Sequence, residues 1–251
     1  MSDRFRPCVL IPTYDNPVTI EDVVLRTRAH LPDVLVVDDG SGAEGRRAVA
    51  RLAVDGLATV LRRDRNGGKG AAVRDGLILA RELGYTHAVQ VDADGQHDLD
   101  DIPLFLRVAR EHPRAFVTGT PVFDETVPLG RRVARLVSRF WVSLETGGAA
   151  ITDPLCGLRV YPVAAALAAQ PLARHMGHDP EIAVRLCWAG VPVINLPTRV
   201  RYLRPEDGGV SHYRTFRDTL EMTWVHTLLV NQAACRLVRS WTRRRRPDSH
   251  C

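Results

Sequence analysis

Apolar residues recur along the first ninety positions in two alternating rhythms. Short runs at Cys8 to Ile11, Val34 to Val37, Ala58 to Leu61 and Thr86 to Val91 are each cut off by a polar or proline residue, as strands are. Between them, Pro17 to Leu31, Ala43 to Ala53 and Lys69 to Leu83 carry apolar positions at helical spacing. Alternation at this period predicts the α/β class, with a mainly parallel central sheet and helices on both faces.

Beyond Gln96 the rhythm loosens. The pattern predicts a helix over Asp100 to Glu111 capped by Asp98, a strand at Ala115 to Thr118, and helices over Arg131 to Glu145 and Glu181 to Trp188. Two short strands, Val191 to Asn195 and Arg199 to Leu203, precede a Gly/Pro-rich loop from Arg204 to Val210 and a long helix from about Thr215 to Trp241. No internal repeat or linker divides the chain. The expected organisation is one domain over 1–213, with a nucleotide-binding half to about residue 97 and an acceptor half after it, followed by a C-terminal helix and basic tail over 214–251.

With 251 residues, 45% hydrophobic and 25% charged, the chain is long enough to bury a full core. Its five cysteines, Cys8, Cys156, Cys187, Cys235 and Cys251, form no CxxC pair, so neither a zinc site nor a disulfide framework is expected. No long uncharged apolar window suggests a signal or a membrane span. The expectation is a cytoplasmic protein. Part of the +5 net charge sits in Arg243-Arg244-Arg245-Arg246, a run read either as a solvated end or as peripheral contact with the anionic inner membrane surface. Without interleaved aromatics, it does not suggest nucleic acid.

The chemistry concentrates where strands end. Val89-Gln90-Val91 runs into Asp92-Ala93-Asp94-Gly95-Gln96, two carboxylates and an amide delivered to one point. Hard oxygen ligands in that arrangement suit magnesium or manganese, with phosphate oxygens completing the shell. The second strand also ends in acids, Asp38-Asp39, of which one suffices to cap a helix and the other is free for a ring N–H or a ribose hydroxyl. The first strand ends in the turn Pro12-Thr13-Tyr14. Lys69, the only lysine in the chain, opens a helix after Asn66-Gly67-Gly68, where a compact ammonium suits a diphosphate. The fingerprint GxGxxG does not follow the first strand, and the spacing around Lys69 is not GxxxxGK[ST], which argues against a nicotinamide or flavin enzyme and against an ATPase.

Three turns in the second half mix acid, arginine and histidine: Asp153 to Arg159, His178-Asp179-Pro180-Glu181, and Ser211-His212-Tyr213. Each is read either as a helix cap or salt bridge, or as a loop converging on a site.

Taken in order, Ile-Pro-Thr-Tyr, Val-Val-Asp-Asp-Gly-Ser, Asn-Gly-Gly-Lys-Gly, Asp-Ala-Asp-Gly-Gln-His and Asp-Pro-Leu-Cys-Gly-Leu-Arg resemble family 2 glycosyltransferases. The nearest branch is the one containing dolichol-phosphate mannose synthase. The resemblance covers about residues 7 to 213 and implies a GT-A fold, a nucleotide-diphosphate sugar donor and inversion at the anomeric carbon. It implies that Pro12, Tyr14 and Asp39 line the nucleoside pocket, that Asp92 and Asp94 serve the metal and diphosphate, and that Gln96 is a third metal ligand. It places Arg159 at the branch's Gly-Phe-Arg arginine, with Leu158 replacing the phenylalanine. Gly119-Thr120-Pro121 stands where the branch carries Gly-Ser-Arg, so one acceptor-phosphate arginine is missing. The second half is more similar to bacterial glycosyltransferases of aryl polyene and related lipid clusters.

The candidate donor groups are therefore Pro12, Thr13, Tyr14, Asp38, Asp39, Lys69 and Asp92, and the metal ligands Asp92, Asp94 and Gln96. Asp153, Arg159, His178 and His212 are expected on the acceptor side, which a lipid or polyprenyl phosphate would occupy. Asp179 is the first candidate base, Glu181 the second, with Arg159 beside the reaction. The rival readings are a sugar nucleotidyltransferase, whose Gly- and Lys/Arg-rich first loop is absent, and a sugar-nucleotide-binding protein without transferase activity.

Overall fold

The computed structural model describes residues 5–123, 127, 129–148, 151–200 and 215–244. Strands β1 (Pro7–Thr13), β2 (Val34–Asp38), β3 (Thr59–Arg62), β4 (His87–Gln90), β5 (Phe116–Phe123), β6 (Arg159–Pro162) and β7 (Val193–Val200) form one sheet in the order β3-β2-β1-β4-β6-β5-β7. Only β6 runs against its neighbours, so the sheet is mainly parallel as expected.

The helices are α1 (Ile20–Arg28), α2 (Ala43–Val54), α3 (Lys69–Glu82), α4 (Ile102–Glu111), α5 (Leu129–Thr146), α6 (Val163–Ala169), α7 (His178–Trp188) and α8 (Thr215–Arg244). The pleat sends alternate strand residues to opposite faces. Val9, Ile11, Val34 and Val36 pack with α1, α2 and α4, whereas Cys8, Leu10, Leu35 and Val37 pack with α3, α6 and α7. Val142 of α5 and Val225 and Leu229 of α8 extend that second core. The C-terminal helix is thus packed against the domain at Val225 and Leu229.

Several elements differ from their sequence expectation. β1 does not stop at Pro12 but pairs with β2 as far as Thr13. Its ladder with β4 ends at Leu10, so the proline, which has no N–H to give, lies where only one neighbour remains. β7 is one strand rather than two short ones; it passes through Pro197 at the sheet edge, where proline is tolerated. The pattern missed β6 and α6 altogether. α7 begins at His178, three residues before the expected start, so Asp179 is inside the first turn and is not its cap. Asp98 does accept from the Asp100 amide, at the head of a short 3-10 turn that leads into α4. The loop over 204–210, the end of the strand expected to reach Leu203, His212 and the end of the arginine run lie outside the described residues.

Candidate active site

β2 and β4 lie on opposite sides of β1, and the crossovers leave in opposite directions there. Such a switch point opens a crevice at the carboxyl ends of the strands. Here it is a cleft of about 1340 Å³ that reaches from the β1, β2 and β4 ends to α5 and α8.

On one side, the strand-end acids separate into two jobs. Asp39 lines the cleft, where its Oδ1 and Oδ2 accept from the Gly67 and Gly68 amides at 3.0 and 2.7 Å, and Arg63 pairs with it. Asp38 is fully buried; it pairs with Arg62 and accepts from the Ser41 amide at 2.9 Å. That buried role keeps Asp38 away from the cleft, contrary to the expectation of donor contact. Pro12, Thr13 and Tyr14 line the cleft. Gly68 has φ of +95° directly before α3, a conformation that costs a side-chain-bearing residue and brings Lys69 into the crevice.

Lys69 bridges two carboxylates, with Nζ 2.7 Å from Asp92 Oδ1 and 2.8 Å from Asp179 Oδ2. Burial works against its charge, but Asp179 and Asp92 outweigh it and hold the ammonium above its usual range. Burial would likewise protonate Asp92, yet Lys69 and then His97, 3.7 Å away, hold it well below the carboxylate range. Asp179 shares this balance: desolvation raises it, and Lys69 and Arg159 together bring it below its ordinary value.

Arg159 is fully buried at the start of β6. Because β6 is antiparallel and pairs Arg159 with Gln90, its first residue lies at the same sheet edge as the end of β4. Its guanidinium donates to the carbonyls of Cys156 (2.6 Å), Pro154 (2.5 Å) and Asp179 (2.8 Å). Nη1 is 3.6 Å from Asp179 Oδ1. Arg159 therefore ties the Asp153–Gly157 turn to the head of α7 from beneath the cleft, rather than projecting into it. Gly157 is packed so closely against Asp92 that any Cβ would overlap the carboxylate.

Asp92, Ala93, Asp94 and Gln96 follow β4 into the cleft. Asp94 is raised, first by burial and then by the negative charge of Asp92. Burial and the Asp92 charge outweigh His97 and Lys69 there, and two carboxylates with an amide are hard donors, so the residues fit a divalent cation. Among the described residues no three His, Cys, Asp or Glu side chains form a metal nest by themselves. Such an ion would take much of its shell from phosphate oxygens.

Other expected residues are placed differently. Glu181 lies outside the cleft: Oε2 accepts from the Leu172 and Ala173 amides at 2.9 and 2.6 Å, and Oε1 pairs with Arg185. With its oxygens taken by the loop before α7, Glu181 is a fold-forming residue and not a second base. His178 is buried under α3 with both ring nitrogens unpartnered, and burial pushes it down to about 4. Asp153 caps its turn through the Leu155 amide and pairs with Arg135 of α5 at 2.5 Å. The pattern gave no role to Arg63, His97, Arg135 or His226, all of which line the cleft. Only His97 had a signal, its place directly after the acidic turn.

The model of the family described as "Glycosyl transferase family 2" matches residues 8–160. A UDP-N-acetylglucosamine–dolichyl-phosphate N-acetylglucosaminyltransferase from Methanococcus voltae is 29% identical over 171 residues, 61% of this chain and 68% of that one. An undecaprenyl-phosphate mannosyltransferase from Micrococcus luteus is 32% identical over 166 residues, 62% of this chain and 66% of its own. The chain thus spans about two thirds of these relatives. Among solved structures, glucosyl-3-phosphoglycerate synthase from Mycobacterium tuberculosis, in complex with Mn2+ and UDP-glucose, superposes with a TM-score of 0.66. The match has 17% identity and covers 91% of this chain and 79% of the other, a likeness of fold.

Proposed function

The chain belongs to glycosyltransferase family 2 and has its GT-A fold, and from that premise we propose an inverting, divalent-metal-dependent transfer of a sugar from a nucleotide-diphosphate donor to a polyprenyl phosphate. The observation that carries the choice of acceptor is the position of Asp179. Its carboxylate is buried between Lys69 at 2.8 Å and Arg159 at 3.6 Å, and both cations lower its affinity for a proton. That makes it a weak base. A hydroxyl acceptor needs a base, whereas a phosphate monoester arrives already anionic. The names of the two relatives, each of which acts on a lipid-linked phosphate, support the same acceptor class.

In this reading Pro12, Tyr14 and Asp39 hold the nucleoside, and Asp92, Asp94 and Gln96 hold magnesium or manganese. The ion, when bound, would neutralise charge on the diphosphate. An acceptor phosphate oxygen attacks the anomeric carbon from the face opposite the leaving group; the new C–O bond forms as the bond to the diphosphate breaks. Lys69 supplies a fixed positive charge beside the departing diphosphate, and Asp179 and Asp92 fix where that charge sits. Gly119-Thr120-Pro121 of β5 carries no arginine, and Arg135, paired with Asp153, is a cation that lines the cleft from α5, on the proposed acceptor side. Arg159 positions both loops.

The acceptor reaches the protein from a membrane. α5 turns Val133, Leu136, Val137, Phe140 and Leu144 outward, each more than half exposed, with exposed Arg139 beside them. This apolar stripe and the arginine run suit peripheral contact with the anionic inner face. No helix among the described residues is long and apolar enough to cross a membrane.

The test is transfer from a panel of UDP- and GDP-sugars to a polyprenyl phosphate or to the free polyprenol, with Mg2+, Mn2+ or EDTA. Expected is a lipid-linked product from the phosphate alone, abolished by EDTA and restored by either metal. Transfer to the alcohol in preference to the phosphate would overturn the acceptor assignment.

A further inference from the structure

The cleft has a second arm, between α5 and α8, that the donor groups leave unused. Its wall includes Ser138 and Trp141 from α5 and Met222, His226 and Thr227 from α8. Two turns along α5 from Ser138, the Glu145 side chain is fully buried and takes the His226 ring, with Oε1 2.7 Å from Nδ1. The other ring nitrogen, Nε2, is 3.5 Å from Ser138 Oγ. Trp141 stacks on the imidazole with centroids 6.2 Å apart and planes within 23°. Ring orientation is fixed, since Nδ1–H donates to the carboxylate and Nε2 is left to face the arm.

A tie between two helices does not require this arrangement. Apolar residues would join α5 to α8 at lower cost than a buried carboxylate, and Glu145 Oε2 has no partner at all. At 3.5 Å the contact of Nε2 with Ser138 is at the loose limit of a hydrogen bond. Val133 and Val137 lie on the same wall and lead outward to the exposed stripe of α5. The arm therefore runs from a polar centre to an apolar lip.

We propose that this arm is the acceptor subsite, where His226, held by Glu145 as the imidazolium, donates from Nε2–H and the Ser138 hydroxyl donates beside it to oxygens of a phosphate monoester whose hydrocarbon chain lies along Val133 and Val137. The inference rests on the transfer proposed above and adds which residues of this chain select the acceptor. Glu145 is a positioning residue that acts through His226.

The experiment uses geranyl phosphate as a water-soluble acceptor with the full chain. His226→Phe keeps an aromatic ring against Trp141 and removes the nitrogen. It is expected to raise the acceptor KM about tenfold or more while leaving the donor KM within about twofold. Glu145→Gln shifts the acceptor KM in the same direction, and Ser138→Ala does so by a smaller factor. In wild-type protein labelled with 15N-histidine, the His226 Nε2 resonance moves on addition of geranyl phosphate and not of UDP, a reading that needs no variant to fold. A purely structural tie would lower Tm without moving the acceptor KM. An unchanged acceptor KM in folded His226→Phe, or an unmoved resonance at saturating geranyl phosphate, overturns the subsite while the transfer reading stands. Absence of transfer to any polyprenyl phosphate by the wild type overturns both.

Discussion

At the scale of single residues, the site turns on one ammonium between the buried carboxylate of Asp179 and the partly exposed one of Asp92. Replacing Lys69 by methionine leaves Asp92 and Asp179 with only the more distant His97 and Arg159 and removes the positive charge proposed beside the diphosphate. The expected loss in kcat/KM is on the order of 100-fold or more. Lys69→Arg is not expected to restore it, because a planar guanidinium cannot occupy a point between two oxygens at 2.7 and 2.8 Å. Steady-state kinetics on both variants checks this. Gly157→Ala is the complementary change: its Cβ would displace the Asp92 carboxylate, at a cost of roughly 1–3 kcal/mol. Calorimetry should show metal-dependent donor binding weakened, with urea unfolding shifted in the same variant. Both residues carried a signal in the sequence, Lys69 as the only lysine and Gly157 within a motif. That Gly157 is pressed against Asp92, some sixty-five residues earlier, is visible only in the fold.

At the scale of elements, α7 shows where pattern reading stops. Asp179 and Glu181 are two positions apart in one first turn, so they point about 200° apart around the helix. One enters the cleft and the other clamps the preceding loop, a choice made by how α7 is rotated against α3 and the sheet. His178, in the same turn, gives the element a pH dependence. Its folded value of about 4 lies below the ordinary 6.5, because burial disfavours the imidazolium. The unfolded chain therefore binds the proton first, so this contribution is fully present above about pH 6.5 and is lost as pH falls toward 4. The swing is at most on the order of 3 kcal/mol. Urea unfolding at pH 7 and pH 4.5 should show a smaller difference in His178→Leu than in the wild type. β6 was unreadable for another reason: a four-residue strand of arginine, valine, tyrosine and proline has no alternation to detect. It exists because β4 and β5 both offer it a ladder.

For the whole molecule, the question is how an α/β domain would meet the proposed lipid-linked acceptor. The apolar stripe on α5 and the basic C-terminal run predict binding to vesicles containing anionic lipid that weakens with salt. Sedimentation should show weaker binding on truncation of residues 243–251, and again in Leu136→Ser/Phe140→Ser; equal binding in all three proteins would exclude this mode of contact. The alternation of strand and helix, the mainly parallel sheet and the strand-end acids were all readable from the chain. Hydrophobic periodicity is local, and a carboxylate that closes an apolar run announces the end of a strand. Partnership was not readable in this way. Which of Asp38 and Asp39 faces the cleft, why Arg159 lies beneath Asp179, and how Glu145 of α5 holds His226 of α8 depend on strand order, register and helix rotation. Those are set by packing among residues distant in sequence, so the chain specifies the groups, and only the folded sheet and its helices decide which of them meet.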